Sequence, residues 1–198
     1  MAGRFGFIGL VVIAIVAVSC SSNTQPKPRG YFRIELPAAE YTDLKSVGDE
    51  RLTANLPYTF EMNNAAIVRE HPDGEQYWID IVYPCFDVQV HCSYKPIENN
   101  LRELSDDAQR FVYNHAGKAS AIPEQGYEDD EAKMYGVMYE LMGNTASPCQ
   151  FYLTDSTHHF FRGAVYFNCI PQQDSLAPVR DYIIDDIRHL IETMRWSK

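Results

Sequence analysis

Lys133–Met142 reads KMYGVMYELM, with Tyr135, Val137, Tyr139 and Leu141 alternating against Met134, Met138 and Met142. Successive strand side chains point to opposite faces, so a strand that is apolar on both belongs to a sheet covered on both sides. Downstream, Gln150–Asp155 and His159–Phe167 continue the pattern and predict two further antiparallel strands joined by a polar turn. Upstream, Tyr31–Leu36, Tyr58–Met62, Tyr77–Tyr83 and Val88–Lys95 are rich in β-branched and aromatic residues and read as strands. His71-Pro72-Asp73-Gly74 is a turn signal, and Pro84 followed by Asp87 marks the next reversal. Between the two groups of strands, Leu101, Leu104, Ala108, Phe111 and His115 recur at three and four residues, which predicts a helix over Asn99–Ala116 stopped by Gly117. A second helix is predicted from Asp174-Ser175 to Trp196, with Val179, Ile183, Ile187, Leu190 and Met194 on one stripe. The expected fold is α+β: one antiparallel β-sheet sandwiched between two helices. The whole chain is 45% hydrophobic and 13% aromatic, and 31–198 holds ample material for a single core and so for a single domain.

The chain begins differently. Arg4 precedes an apolar run, Phe5–Val18, that ends at Ser19-Cys20-Ser21-Ser22. A spanning helix needs about 20 apolar residues, and this run is shorter, so it reads as a secretory leader over residues 1–19. A cysteine directly after small residues predicts cleavage before Cys20 and lipidation of its thiol with diacylglycerol, followed by an N-acyl chain. At about 0.8 kcal/mol per buried CH₂, two or three such chains anchor a protein stably. Residues 20–30 are polar and proline-bearing, a tether that spans up to about 30 Å at ~3.1 Å per residue.

The chain carries 17 Lys and Arg against 27 Asp and Glu, a net charge of −10, which argues against a nucleic-acid partner. The acidic run Glu128-Asp129-Asp130-Glu131 reads as a solvated loop. Beyond Cys20 stand Cys85, Cys92, Cys149 and Cys169. Export permits disulfides, and Cys149 and Cys169 flank the predicted hairpin at similar distances from its turn, so they are the preferred pair against the alternative of free buried thiols. None of the four shows a zinc-site spacing.

Several long segments together carry a resemblance: Pro26–Pro37 (PKPRGYFRIELP), His91–Leu101 (HCSYKPIENNL), Gln150–Phe167 (QFYLTDSTHHFFRGAVYF) and Asp174–Trp196 (DSLAPVRDYIIDDIRHLIETMRW). In this order behind a lipoprotein leader, they resemble the gliding motility lipoprotein GldD family of Bacteroidota. The resemblance implies an envelope lipoprotein that serves gliding motility and type IX protein secretion alongside other envelope proteins of that machinery, with no enzymatic activity. The four later cysteines fall outside the family pattern. The element order also resembles the PsbP-like α/β/α sandwich, a likeness of fold alone. By analogy with lipoprotein sorting, Ser21 favours the outer membrane, and the lack of an acidic stretch after Cys20 favours a domain facing the periplasm.

Two polar and aromatic clusters lie in these segments. One is the predicted hairpin turn with Asp155, Ser156, His159 and Arg162; the other is a strand-to-helix junction with Lys95 and Asn100. Each reads as a docking surface for a partner. The competing reading is structural: Asp155 and Ser156 as turn formers, Arg162 paired with Asp155, and Asn100 as a helix cap. Asp155, Ser156, His158 and His159 hold the ingredients of nucleophilic catalysis, but no G-x-S-x-G elbow accompanies them. The histidines show no H-E-x-x-H spacing, His115 reads as a core residue, and Gly126 and Gly136 form no phosphate cradle, so neither a metal nor a cofactor is expected. Three functions follow: an accessory binding subunit, a periplasmic carrier of lipid or lipoprotein cargo, and a cryptic hydrolase.

Overall fold

Val88–Pro96 alternates strictly, with Val88, Val90, Cys92 and Tyr94 buried and Gln89, His91, Ser93 and Lys95 on the other face. That pattern puts one face of a strand in a core and the other against something more polar. The structure, a computed structural model, describes residues 34–47, 49–72, 75–114, 116–169 and 173–197. In chain order its elements are β1 (Tyr41–Asp43), α1 (Leu44–Val47), α2 (Glu50–Thr53), β2 (Tyr58–Thr59), β3 (Glu61–Asn63), β4 (Ile67–Glu70), β5 (Ile79–Tyr83) and β6 (Val88–Pro96). Then follow α3 (Leu101–Asn114), β7 (Ala119–Ala121), β8 (Glu124–Asp129), β9 (Met134–Glu140), β10 (Met142–Gly143), β11 (Cys149–Thr154), β12 (His159–Phe167), α4 (Gln173–Thr193) and β13 (Arg195–Trp196).

The main sheet is seven-stranded, in the order β4-β5-β6-β12-β11-β9-β8, and every pairing in it is antiparallel. β12 lies at its centre and pairs with β6 from His159↔Pro96 to Phe167↔Val88. One face buries Ile79, Ile81, Val90, Phe151, Leu153, Phe161 and Val165 beneath the α4 stripe of Val179, Ile183, Ile187, Leu190 and Met194. On the opposite face α3 sets Leu104 and Ala108 on Phe160, and Val112 on Tyr139 and Leu141. The sheet is therefore covered on both sides, as the doubly apolar KMYGVMYELM segment requires. Buried Asp186 ties α4 to the small β1–β3 sheet, accepting hydrogen bonds from Tyr41 Oη at 2.7 Å and Asn63 Nδ2 at 2.9 Å. Its neighbour Asp185 points outward to Arg188 at 2.7 Å.

Several expectations are corrected. Within Tyr31–Leu36, the described residues 34–36 form no strand. Tyr58–Met62 is broken at Phe60 into β2 and β3, which pair with different partners, β13 and β1. The last helix ends at Thr193; Met194 is fully buried, and Arg195–Trp196 leaves the helix to pair with β2 in a separate two-stranded sheet. Glu128 and Asp129 close strand β8, and Asp129 then accepts the backbone N–H groups of Glu131 and Ala132 in the turn.

The expected Cys149–Cys169 disulfide is not formed: Cys149 is a buried free thiol and Cys169 an exposed one. The hairpin register explains it. Gln150 faces Ala164, which places Val165 opposite Cys149 and leaves Cys169 further along by about 13 Å at ~3.3 Å per residue. Burial pushes the Cys149 thiol well above its ordinary pKa, which keeps it protonated and unreactive. The leader, Cys20, the tether and His115 lie outside the described residues. Among the described residues no helix is long and apolar enough to cross a membrane.

Candidate functional site

The two faces of the sheet are covered unequally. α4 runs over one face, whereas α3 packs on β11 and β12. Beside α3, the polar face of β6 and the adjoining part of β12 form the floor of a cleft of about 300 Å³. His71, Trp78, His91, Ser93 and Lys95 line it from the β5–β6 side, Leu104, Asp107 and Phe111 from α3, and Phe160, Arg162 and Tyr166 from β12.

Strand register builds the floor. Asp80 pairs with His91 across β5–β6, and His91 pairs in turn with Ala164 on β12. His71 follows β4, whose Arg69 is the other register partner of Asp80. Asp80 is 2% exposed and fully engaged. Its Oδ1 lies 2.7 Å from His71 Nδ1 and 2.8 Å from His91 Nδ1, and its Oδ2 accepts from Gln89 Nε2 at 2.7 Å. Burial pushes the Asp80 carboxyl up, but the hydrogen bonds and attraction of His91 and His71 outweigh it and hold the pKa below the ordinary carboxylate value. An ionised carboxylate only accepts, so both imidazoles present Nδ1–H to it. The two rings meet edge to face at 5.1 Å, with Trp78 beside His71 at 5.4 Å and Tyr166 beside His91 at 5.1 Å.

On the facing wall Arg162 donates to Gln150 Oε1 at 2.8 Å, and its guanidinium carbon sits 4.6 Å from the centre of the Phe111 ring. Burial pulls its pKa down while Tyr166 acts the other way. The side chain remains a cation, set over an aromatic ring at the edge of the cleft.

The residues predicted to contact a partner do not form one patch. Lys95 and Arg162 meet in the cleft. Asn100 caps α3: its carbonyl accepts the Leu104 N–H at 3.0 Å and its Oδ1 the Glu98 N–H at 2.9 Å. Asp155 does not pair with Arg162. Its Oδ1 accepts the backbone N–H groups of Thr157, His158 and His159 at 2.7–2.9 Å, closing the β11–β12 turn, while Arg162 faces α3. Burial raises the Asp155 carboxyl, yet those bonds and the Thr157 hydroxyl together hold it well below the ordinary range. His159 points to the α4 face, where its Nδ1 meets Tyr94 Oη at 2.8 Å and its ring stacks on Trp196 at 5.0 Å.

Ser156 is exposed in that turn at a positive φ of 67°, and its amide donates to Thr154 Oγ1. The hydroxyl that meets a histidine there is that of Thr157, on His158 at 2.9 Å and exposed to solvent. The Asp155, Ser156 and histidine ingredients are thus spread over a surface turn and assemble no cleft-bound triad.

His71, Asp80 and His91 belong to no sequence motif, because strand pairing, and not spacing, brings them together. Two signals for them were readable: an aspartate inside the apolar strand IDIVY, and the polar residues Gln89, His91, Ser93 and Lys95 at period two.

A family model described as gliding motility lipoprotein GldD matches residues 21–196, nearly the whole chain after Cys20. The chain belongs to this family. Membership ties the GldD-family chain to gliding motility and to the membrane as a lipoprotein, and the match encloses both the cleft and the β11–β12 turn. No curated protein and no solved structure matches it.

Proposed function

We propose that the protein is an accessory binding subunit of the gliding and type IX secretion machinery. Acyl chains on Cys20 hold it at the outer membrane, residues 20–30 tether the domain on the periplasmic side, and the cleft beside α3 receives another envelope protein of the machinery. The observation that carries this reading is the composition of the cleft: Trp78, Phe111, Tyr166 and Arg162 converge beside the exposed ammonium of Lys95. Aromatic residues and arginine dominate the energetic centres of protein interfaces, and a rim cation steers association.

The test is affinity purification from native membranes in mild detergent, comparing wild type, Cys20→Ser and the surface variants Lys95→Glu and Phe111→Ser. Co-purification of gliding or secretion components that falls in all three variants supports the reading. Recovery of the protein alone, or of the same components with the cleft variants, overturns it.

A second reading, a carrier of lipid or lipoprotein acyl groups, draws on the cleft volume of about 300 Å³, at the lower end of ligand pockets. Native mass spectrometry of the purified lipoprotein tests it: a bound lipid mass that Phe111→Ser removes would favour the carrier over the docking subunit.

A further inference from the structure

We propose that His71, Asp80 and His91 form a binding site for one zinc-class divalent metal ion on the floor of the cleft. One ligand atom from each of the three lies within 4.8 Å of the others, and both Nδ1 atoms already converge on a single carboxylate oxygen at 2.7 and 2.8 Å. A zinc ion bound tetrahedrally at about 2.0–2.1 Å from each ligand fits between them once the nitrogen–oxygen distances open to roughly 3.3 Å, a change of about half an ångström. Each imidazole then gives its Nδ1 lone pair to the metal: a neutral ring moves its proton from Nδ1 to Nε2, and a protonated ring, which already carries Nε2–H, releases the Nδ1 proton to water.

The donor set selects the ion. Two imidazoles and one carboxylate suit zinc, iron or manganese, whereas calcium and magnesium prefer oxygen-only shells. The surroundings are also those of a metal centre. Gln89 holds the second carboxylate oxygen at 2.7 Å, the kind of outer partner that fixes a ligand's orientation. The Asp80 side chain is 3% exposed, and among the described residues its ion-pairing partners are the two histidines alone, so a bound dication would complete the neutralisation of a buried carboxylate. His91 remains 36% exposed toward the cleft, which leaves the metal a coordination position open to water or to a side chain of whatever enters. The site does not depend on the docking reading, since its residues bind metal whether or not the cleft binds a protein.

The experiment uses the full lipidated chain in detergent, stripped with a chelator and titrated with ZnCl₂ by calorimetry, with elemental analysis after dialysis. Expected is one zinc per chain, with affinity at least tenfold weaker in His71→Ala and in His91→Ala and unchanged in His189→Ala, a half-buried histidine paired with Glu61 elsewhere. X-ray absorption of the zinc-loaded wild type reads the ligands directly and is independent of how well the variants fold. A shell of nitrogen and oxygen with imidazole scattering supports the site. A sulfur-containing shell, no stoichiometric zinc in the wild type, or equal binding by folded His71→Ala and His91→Ala overturns it.

Discussion

At Gly163 a Cβ would stand 2.3 Å from two ring carbons of Phe151, whose side chain is buried against the α4 face of the sheet. Gly163→Ala is therefore expected to destabilise the fold by about 1–3 kcal/mol through overpacking. Urea unfolding should also show that the penalty is smaller in a Phe151→Leu background, since the clash is with that ring. Asp155 supports a pH prediction. Its folded pKa lies below the unfolded value of about 3.9, so the stability it contributes is fully present above that value and is lost as pH falls through it toward the folded pKa. The stability difference between wild type and Asp155→Asn should be largest near pH 7 and shrink by pH 3, as read from denaturant midpoints. A difference that stays constant would mean that the carboxylate charge is not what holds the turn. The turn and cap chemistry of Asp155 and Asn100 was legible because a side chain bonding backbone two to four residues away is a local event. The Asp80 cluster was not, because its members meet only through the register of β4, β5 and β6.

Among the elements, α3 shows how a helical stripe can be read slightly rotated. The expected face ran through Phe111 to His115, whereas the residues that pack are Leu104, Ala108 and Val112, one every four positions, and Phe111 is 43% exposed beside the cleft. Two substitutions one residue apart should therefore diverge. Val112→Ala removes buried methyl groups from the contact with Tyr139 and Leu141 and is expected to cost roughly 1–3 kcal/mol. Phe111→Ala should cost less than about 1 kcal/mol, mostly the cation–π contact with Arg162. Thermal melts of the two variants check the order, and the reverse order would place Phe111 in the core. β6 was legible because burial on a strict period of two leaves a trace in residue type, and β5, β9, β11 and β12 because they are short runs rich in apolar and aromatic residues on both faces. Short strands such as β1, β4 and β7 were not: β4 is mostly exposed, with even Ile67 at 42%, so its apolar content reports no face. What makes β4 a strand is pairing with β5, and that is a tertiary fact.

For the whole molecule the net charge is −10, yet the cleft collects Lys95 and Arg162 beside half-buried Asp107, which pairs with Arg110 at 2.8 Å. An acidic partner is thus repelled by most of the surface and attracted at one place, an arrangement that orients an encounter more than it tightens a complex. Acidic composition was plain in the sequence, but the position of the cleft cations depended on which strand faces α3 leaves open. Once a partner is captured, its association rate with the lipidated protein should fall about tenfold or more between 50 and 300 mM salt, because a Debye length of about 10 Å at 0.1 M shortens across that range. Lys95→Glu should lower the association rate at low salt and flatten its salt dependence while changing dissociation little, since a rim charge acts on encounter and not on residence. Surface plasmon resonance on nanodisc-held protein separates the two rates. An association rate indifferent to both salt and Lys95 would mean that the partner approaches another face, and the β11–β12 turn around Asp155 and His158, at the end of the sheet where β11 finishes and β9 begins, would be the next surface to alter.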